Sequence, residues 1–139
     1  MYFTGLNFFK DKHYELSKIY FEALDKYGDG RGAYGLWHYY TSYEKNEKLV
    51  EKYMKRSAEL GNTVSEIMYG SFLIDKGDLK EAEKWLLKAV EKGDDDAICI
   101  LGMLYGEMKK YDLAEKYYLM AIEKGNYSAM NSLGEIYEK

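Results

Sequence analysis

The stretch Ala89-Val90-Glu91-Lys92-Gly93 returns 32 residues later as Ala121-Ile122-Glu123-Lys124-Gly125, and Gly61 stands the same distance before Gly93. The match extends outward in one register. Ala82-Glu83-Lys84-Trp85 aligns with Ala114-Glu115-Lys116-Tyr117, and Tyr69-Gly70 aligns with Leu101-Gly102 and Leu133-Gly134. A fixed period of this size marks stacked supersecondary units, none of which can bury its apolar face alone. Arrays of this kind usually bind other proteins.

Each period divides into two helices. Ala97, Ile100, Leu101, Leu104 and Tyr105 recur at helical spacing, a break follows at Lys109-Lys110, and Leu113, Ala114, Tyr117, Tyr118, Ala121 and Ile122 repeat the pattern. The preceding period does the same with Met68, Phe72 and Leu73, then Leu79, Ala82, Trp85, Leu86 and Ala89. Asp78 and Glu81 between them have the spacing of a capping box. Gly93 and Gly125 close second helices in the left-handed conformation, and Asn62, Asp94 and Asn126 are expected to cap the helices that follow. The pattern predicts an all-α fold of about nine helices, a single helical-repeat domain over residues 1–139. It comprises a degenerate unit at 1–30, repeats at 31–61, 62–93 and 94–125, and a lone final helix at 126–139. In the degenerate unit Phe8-Phe9-Lys10-Asp11-Lys12 is similar to Phe72-Leu73-Ile74-Asp75-Lys76. In the first repeat His38 stands where later repeats have glycine, and Gly35, one turn earlier, is the candidate for the close helix contact.

Composition narrows the function classes. A formal charge of -4 with lysine and glutamate interleaved argues against nucleic acid or an anionic membrane as partner. Cys99 is the only cysteine, so no internal disulfide forms, and its apolar neighbours favour an inert, buried thiol. No apolar run approaches the ~18 residues of a membrane span, and the N-terminus lacks the pattern of a secretory signal, which makes a cytoplasmic setting the default.

Leu101, Gly102, Tyr105, Ala114, Tyr118 and Ala121 resemble the signature of the tetratricopeptide superfamily. Ala89, Gly93, Ala97, Leu101 and Gly102, and again Ala121, Gly125, Ala129, Leu133 and Gly134, resemble the repeat junction of its Sel-one-like branch. The resemblance covers residues 33–139 and departs from the family in its shorter period and in lacking a glycine-valine loop between the helices. It implies a right-handed α-solenoid of antiparallel helix pairs whose first helices line a concave face. Carried onto matching positions, that face comprises Tyr39, Tyr43, Ile67, Ser71, Asp75, Cys99, Met103, Glu107, Asn131, Glu135 and Glu138. Tyr39, Ile67 and Met103 would form an apolar floor, and Asp75, Glu107 and Glu138 an acidic lip. Such a groove suits an amphipathic helix or extended peptide carrying basic residues.

Signs of chemistry are few. Gly30-Arg31-Gly32-Ala33-Tyr34-Gly35 matches a dinucleotide fingerprint letter by letter, but helix rather than strand is expected before it. His13 and His38 have no metal-ligand spacing with each other or with Cys99, and Asp94-Asp95-Asp96 reads as a favourable helix N-terminus. The expectation is a non-catalytic scaffold for protein-protein interaction, without cofactor, metal or catalytic residues. The alternative is a structural protein that self-assembles through its end helices, Ala129 to Glu138 foremost, as a homo-oligomer. The register also sets a stability expectation. A large residue at Ala114, as in Ala114→Phe, should overpack the stack and cost about 1–3 kcal/mol in urea unfolding, whereas an unchanged midpoint would break the assigned register.

Overall fold

The computed structural model describes residues 13–138. Among them lie eight α-helices and no strand: α1 (Tyr14–Lys26), α2 (Gly30–Ser42), α3 (Glu47–Glu59), α4 (Thr63–Lys76), α5 (Leu79–Glu91), α6 (Asp95–Glu107), α7 (Tyr111–Glu123) and α8 (Ala129–Tyr137). The all-α class is as expected, and the likeness of Phe8–Lys12 to a later helix lies outside the described residues. Gly30 to Gly35 falls inside α2, directly after another helix, so the dinucleotide fingerprint has no strand to follow. The chain divides into two compact units, Met1–Tyr69 and Gly70–Lys139, with the division inside α4.

Helices of 13 or 14 residues are marginal alone, so caps and packing hold them. Gly61, Gly93 and Gly125 all adopt positive φ (95°, 87° and 94°), where a Cβ would be strained. Asn62 accepts from the Ser65 amide at 2.9 Å and Asp94 from that of Ala97 at 3.1 Å, as expected. Two caps differ. Asp78 sits at φ -88°, ψ 71°, outside the extended region that turns a cap side chain onto the helix, and makes no capping bond; Glu81 pairs instead with Lys84 at 3.6 Å. Asn126 accepts from the Ser128 hydroxyl, because a further turn precedes α8.

In the first unit α1 packs on α2 and α2 on α3. Phe21, Leu24, Leu36, Tyr39 and Tyr40 form the core, with Tyr53 stacked on Tyr40 at 5.7 Å. A Cβ on Gly35 would lie 2.3 Å from the Phe21 ring, and one on Gly32 would lie 2.3 Å from the Asp25 amide nitrogen. Gly35 thus does make the close contact, toward the preceding helix. His38 is displaced to a half-buried position against Tyr34 and Trp37, at 4.5 and 4.8 Å, and burial lowers its pKa. Arg56 ties α3 to α1 through the Asp25 carboxylate and, at 3.1 Å, its backbone carbonyl.

In the second unit α6 is flanked by α5 and α7, and α8 closes on α7 and α6. Gly70 receives Leu86, and Gly102 receives the ring of Tyr118; a Cβ on either would stand 2.9 Å from the incoming side chain. Ala82, Ala89, Ala97, Ala114, Ala121 and Ala129 are all fully buried. Tyr105 stacks on Tyr117 at 5.5 Å and its hydroxyl donates to Glu83 at 2.6 Å. Two residues expected in the apolar stripes, Met68 of the first unit and Leu113 of the second, are exposed instead. The buried rows run through Tyr69 and Leu73 in α4, and through Ala114, Tyr118 and Ala121 in α7, leaving Met68 and Leu113 on outward faces.

One departure from the repeat explains itself in the first unit. Ser57 and Ser65 occupy the positions that Ala89 and Ala97, and again Ala121 and Ala129, fill later in the chain. Both serines are fully buried and their hydroxyls share a hydrogen bond of 2.6 Å. Removing one partner strands the other hydroxyl in an apolar site; removing both restores the alanine pair of the other repeats. Ser57→Ala is therefore expected to cost about 1–3 kcal/mol, with Ser57→Ala/Ser65→Ala recovering most of it in a double-mutant cycle. Strictly additive losses would show that the pair is not coupled.

Candidate functional site

The residues assigned to a groove differ in exposure from one to the next. In the first unit Tyr39 is only 6% exposed and belongs to the core, so it offers little surface to a partner. Ile67 is buried as well. The register fixes where a residue lies along its helix, but the aromatic packing around Phe21 draws Tyr39 inward. Tyr43 remains accessible, stacked on Tyr14 with ring centroids 3.6 Å apart. Sequence matching also missed Lys18. Its ammonium lies 5.6 Å from the centre of the Tyr39 ring and 3.5 Å from Glu44, so a cation stands where the matched positions hold none. Lys18 belongs to the degenerate unit, where no repeat register reaches it.

In the second unit several assigned residues do come together. Met103 and Glu107 of α6, Tyr118 of α7, and Ser132, Glu135 and Ile136 of α8 line one recess of about 160 Å³, completed by Gly106 and Tyr111. Its small size has a cause in the fold. Gly102 lets the Tyr118 ring settle against α6, and Ala129 and Leu133 seat α8 beside it. Met103 is 47% exposed, and Glu107 and Glu135 are exposed. Burial, first of all, pushes the Tyr118 hydroxyl above its ordinary pKa; the Ser132 side chain, hydrogen-bonded to it, works the other way, and Cys99, Glu135 and Glu107 add to the rise. The hydroxyl therefore stays protonated at neutral pH, a neutral polar group at the base of an acidic-rimmed recess. Lys109 and Lys110, in the α6–α7 turn, lie outside its lining.

The other assigned positions of this unit lie apart from the recess lining. Asp75 and Asn131 are exposed, Ser71 is half-buried, and Glu138 is exposed at the end of α8. Cys99 is half-buried, and burial, with Asp96 adding, raises its thiol pKa against a hydrogen bond with Asn126. A thiol so held is a poor nucleophile at neutral pH. Among the described residues no three His, Cys, Asp or Glu side chains are placed to hold a metal ion, and no helix is long and apolar enough to cross a membrane.

The volume decides what kind of ligand the recess suits. Small-molecule sites run to about 300–1,000 Å³, and at about 160 Å³ this one is a socket for a single side chain. Carboxylates on its rim favour a cationic one.

Comparison with known proteins agrees with the architecture. The tetratricopeptide repeat model matches residues 67–91 and 95–123, and the Sel1 repeat model matches residues 33–62. No curated protein sequence gives a significant match. Among solved structures, c5321, a protective antigen present in uropathogenic Escherichia coli strains and displaying an SLR fold, is 26% identical with a TM-score of 0.70; the match covers 87% of this chain and 28% of that one. A Sel1 repeat protein from Oxalobacter formigenes is also 26% identical, with a TM-score of 0.70, over 88% of this chain and 53% of that one. Pseudomonas aeruginosa pilF shares the fold at 19% identity and a TM-score of 0.71, over 97% of this chain and 65% of that one. The chain thus spans 65% and 28% of the first two of these structures' lengths in the order pilF, c5321. Sel1 and tetratricopeptide repeat models thus match in tandem along residues 33–123, and the all-helical architecture is the one such repeats build.

Proposed function

We propose that this protein is a non-catalytic interaction scaffold, acting in the cytoplasm, that binds a peptide or helix of a partner protein through a basic side chain seated between α6, α7 and α8. Tetratricopeptide and Sel1 repeats generally mediate protein-protein interaction and are typically non-catalytic. The observation that carries the finer reading is the recess itself, which joins an exposed thioether, a protonated tyrosine and two carboxylates. A lysine or arginine entering it would lay its apolar stem along Met103 and Ile136 and bring its charge to Glu107 and Glu135. The remaining accessible positions, Ser71, Asp75 and Asn131, then serve as surface for flanking residues of the partner. This reading takes residues 1–139 as one repeat domain and needs no cofactor or metal.

The test compares wild type with the Glu107→Gln/Glu135→Gln variant against an immobilised array of peptides that differ only in one central lysine, arginine, glutamine or glutamate. Both carboxylates are exposed, so the substitutions leave the packing intact. Wild type should retain the lysine or arginine peptides at least about tenfold better than the variant does, with retention falling as salt rises. Equal retention by the two proteins, or preference for the glutamate peptides, would overturn the assignment of the recess.

A further inference from the structure

Lysine and arginine carry the same charge in different shapes. An ammonium is a compact, strongly hydrated point, whereas a guanidinium is a weakly hydrated plane whose donors leave it in several directions. The acceptors around the recess are spread rather than gathered. Glu107 comes from α6 and Glu135 from α8, so its two carboxylates stand on separate helices. Both act on the Tyr118 hydroxyl strongly enough to raise its pKa, which places that hydroxyl within the field of each. The hydroxyls of Tyr118 and Ser132 already bond to one another, so the carboxylates are the principal acceptors left for an incoming cation. The rest of the lining is poor in polar groups. Met103 and Ile136 are apolar, and Gly106 adds no side chain, with open space where its Cβ would stand. Tyr118, only 4% exposed, lies at the base, so a cation that reaches it sheds water on the way.

We propose that the recess is specific for arginine: one edge of the partner's guanidinium meets Glu107 and another meets Glu135, and lysine is a weaker substitute. The inference rests on the proposed function, because it takes the recess as the seat of a basic side chain. A planar fork engages two separated carboxylates at once, each through charge-assisted hydrogen bonds, while its faces lie against the thioether of Met103 and the side chain of Ile136. An ammonium concentrates its donors at one point, so it pairs closely with one carboxylate and gains little from the second. It also gives up more hydration on entering. Selectivity therefore depends on both acids together. Loss of either one deprives arginine of half its bonds, while lysine moves to the acid that remains.

The probes are blocked single residues, the N-acetyl methylamides of arginine, lysine, citrulline and glutamine. Each is titrated into the isotope-labelled full chain while the backbone amides of Gly106 and Ser132 are followed by NMR. Arginine is expected to bind at least about tenfold more tightly than lysine, and citrulline, which keeps the shape without the charge, no better than glutamine. Glu107→Gln and Glu135→Gln, both at exposed positions, should each bring arginine and lysine to within about twofold of one another while the amide spectrum stays dispersed. Lysine binding as tightly as arginine, with both above glutamine, would overturn the arginine assignment and leave the basic-side-chain reading standing. A preference for arginine that survives in both single variants, or citrulline binding as tightly as arginine, would also overturn it. If no probe shifts the recess amides, the proposed function fails and this inference with it.

Discussion

Everything in this structure depends on helices approaching one another across residues that have no side chain. Its helices run to 13 or 14 residues at most, and α8 has nine, too short to persist in water unaided. Six of the eight described helices are held in pairs by the fit of a large residue from one onto a glycine of the other: Phe21 on Gly35, Leu86 on Gly70 and Tyr118 on Gly102. A protein interior packed to crystal-like density tolerates no intermediate here, since a methyl group at any of these glycines would fall within 3 Å of the incoming side chain. The fully buried alanines beside them, Ala82, Ala89, Ala114 and Ala121, extend the same flat seam.

The direction of that fit differs between the two units. In the second, the glycines of α4 and α6 receive the helix that follows, within a repeat. In the first, Gly32 and Gly35 of α2 receive the helix that precedes it. That is why His38 is tolerated where Gly70 and Gly102 stand later. The close contact has moved three residues earlier, and the imidazole packs against Tyr34 and Trp37. Strain elsewhere follows the same logic of one geometry met by different residues. Gly77 turns the chain between α4 and α5 at φ 86°, and Lys109 takes the matching turn at φ 60° without a glycine's freedom.

The fold was legible because its constraints recur. Only glycine closes a helix at φ near 90° without strain, so three glycines at one spacing reveal three helix ends. The caps at Asn62 and Asp94 followed from what must come next. The site was legible only in part, because position along a helix is periodic while its rotation and surroundings are not. Met103, Glu107 and Glu135 were assigned by register and do line one recess, but Tyr118 and Ser132, which form its base, sit on positions that register assigns to packing. Tyr39 was assigned by the same rule and is buried, since four other core residues of the first unit close around it. Lys18 escaped notice for want of any repeat to align it. The Ser57–Ser65 pair shows the opposite case: two substitutions that look like decay one at a time are a single compensated change when their hydroxyls meet.

What would drive binding to the recess of the second unit follows from its lining. The recess offers exposed carboxylates around a small cavity, so its attraction acts at a distance, hastens encounter and fades with ionic strength. A carboxylate-rimmed socket of this size would select a partner by its charge, rejecting an acidic side chain before any apolar contact forms.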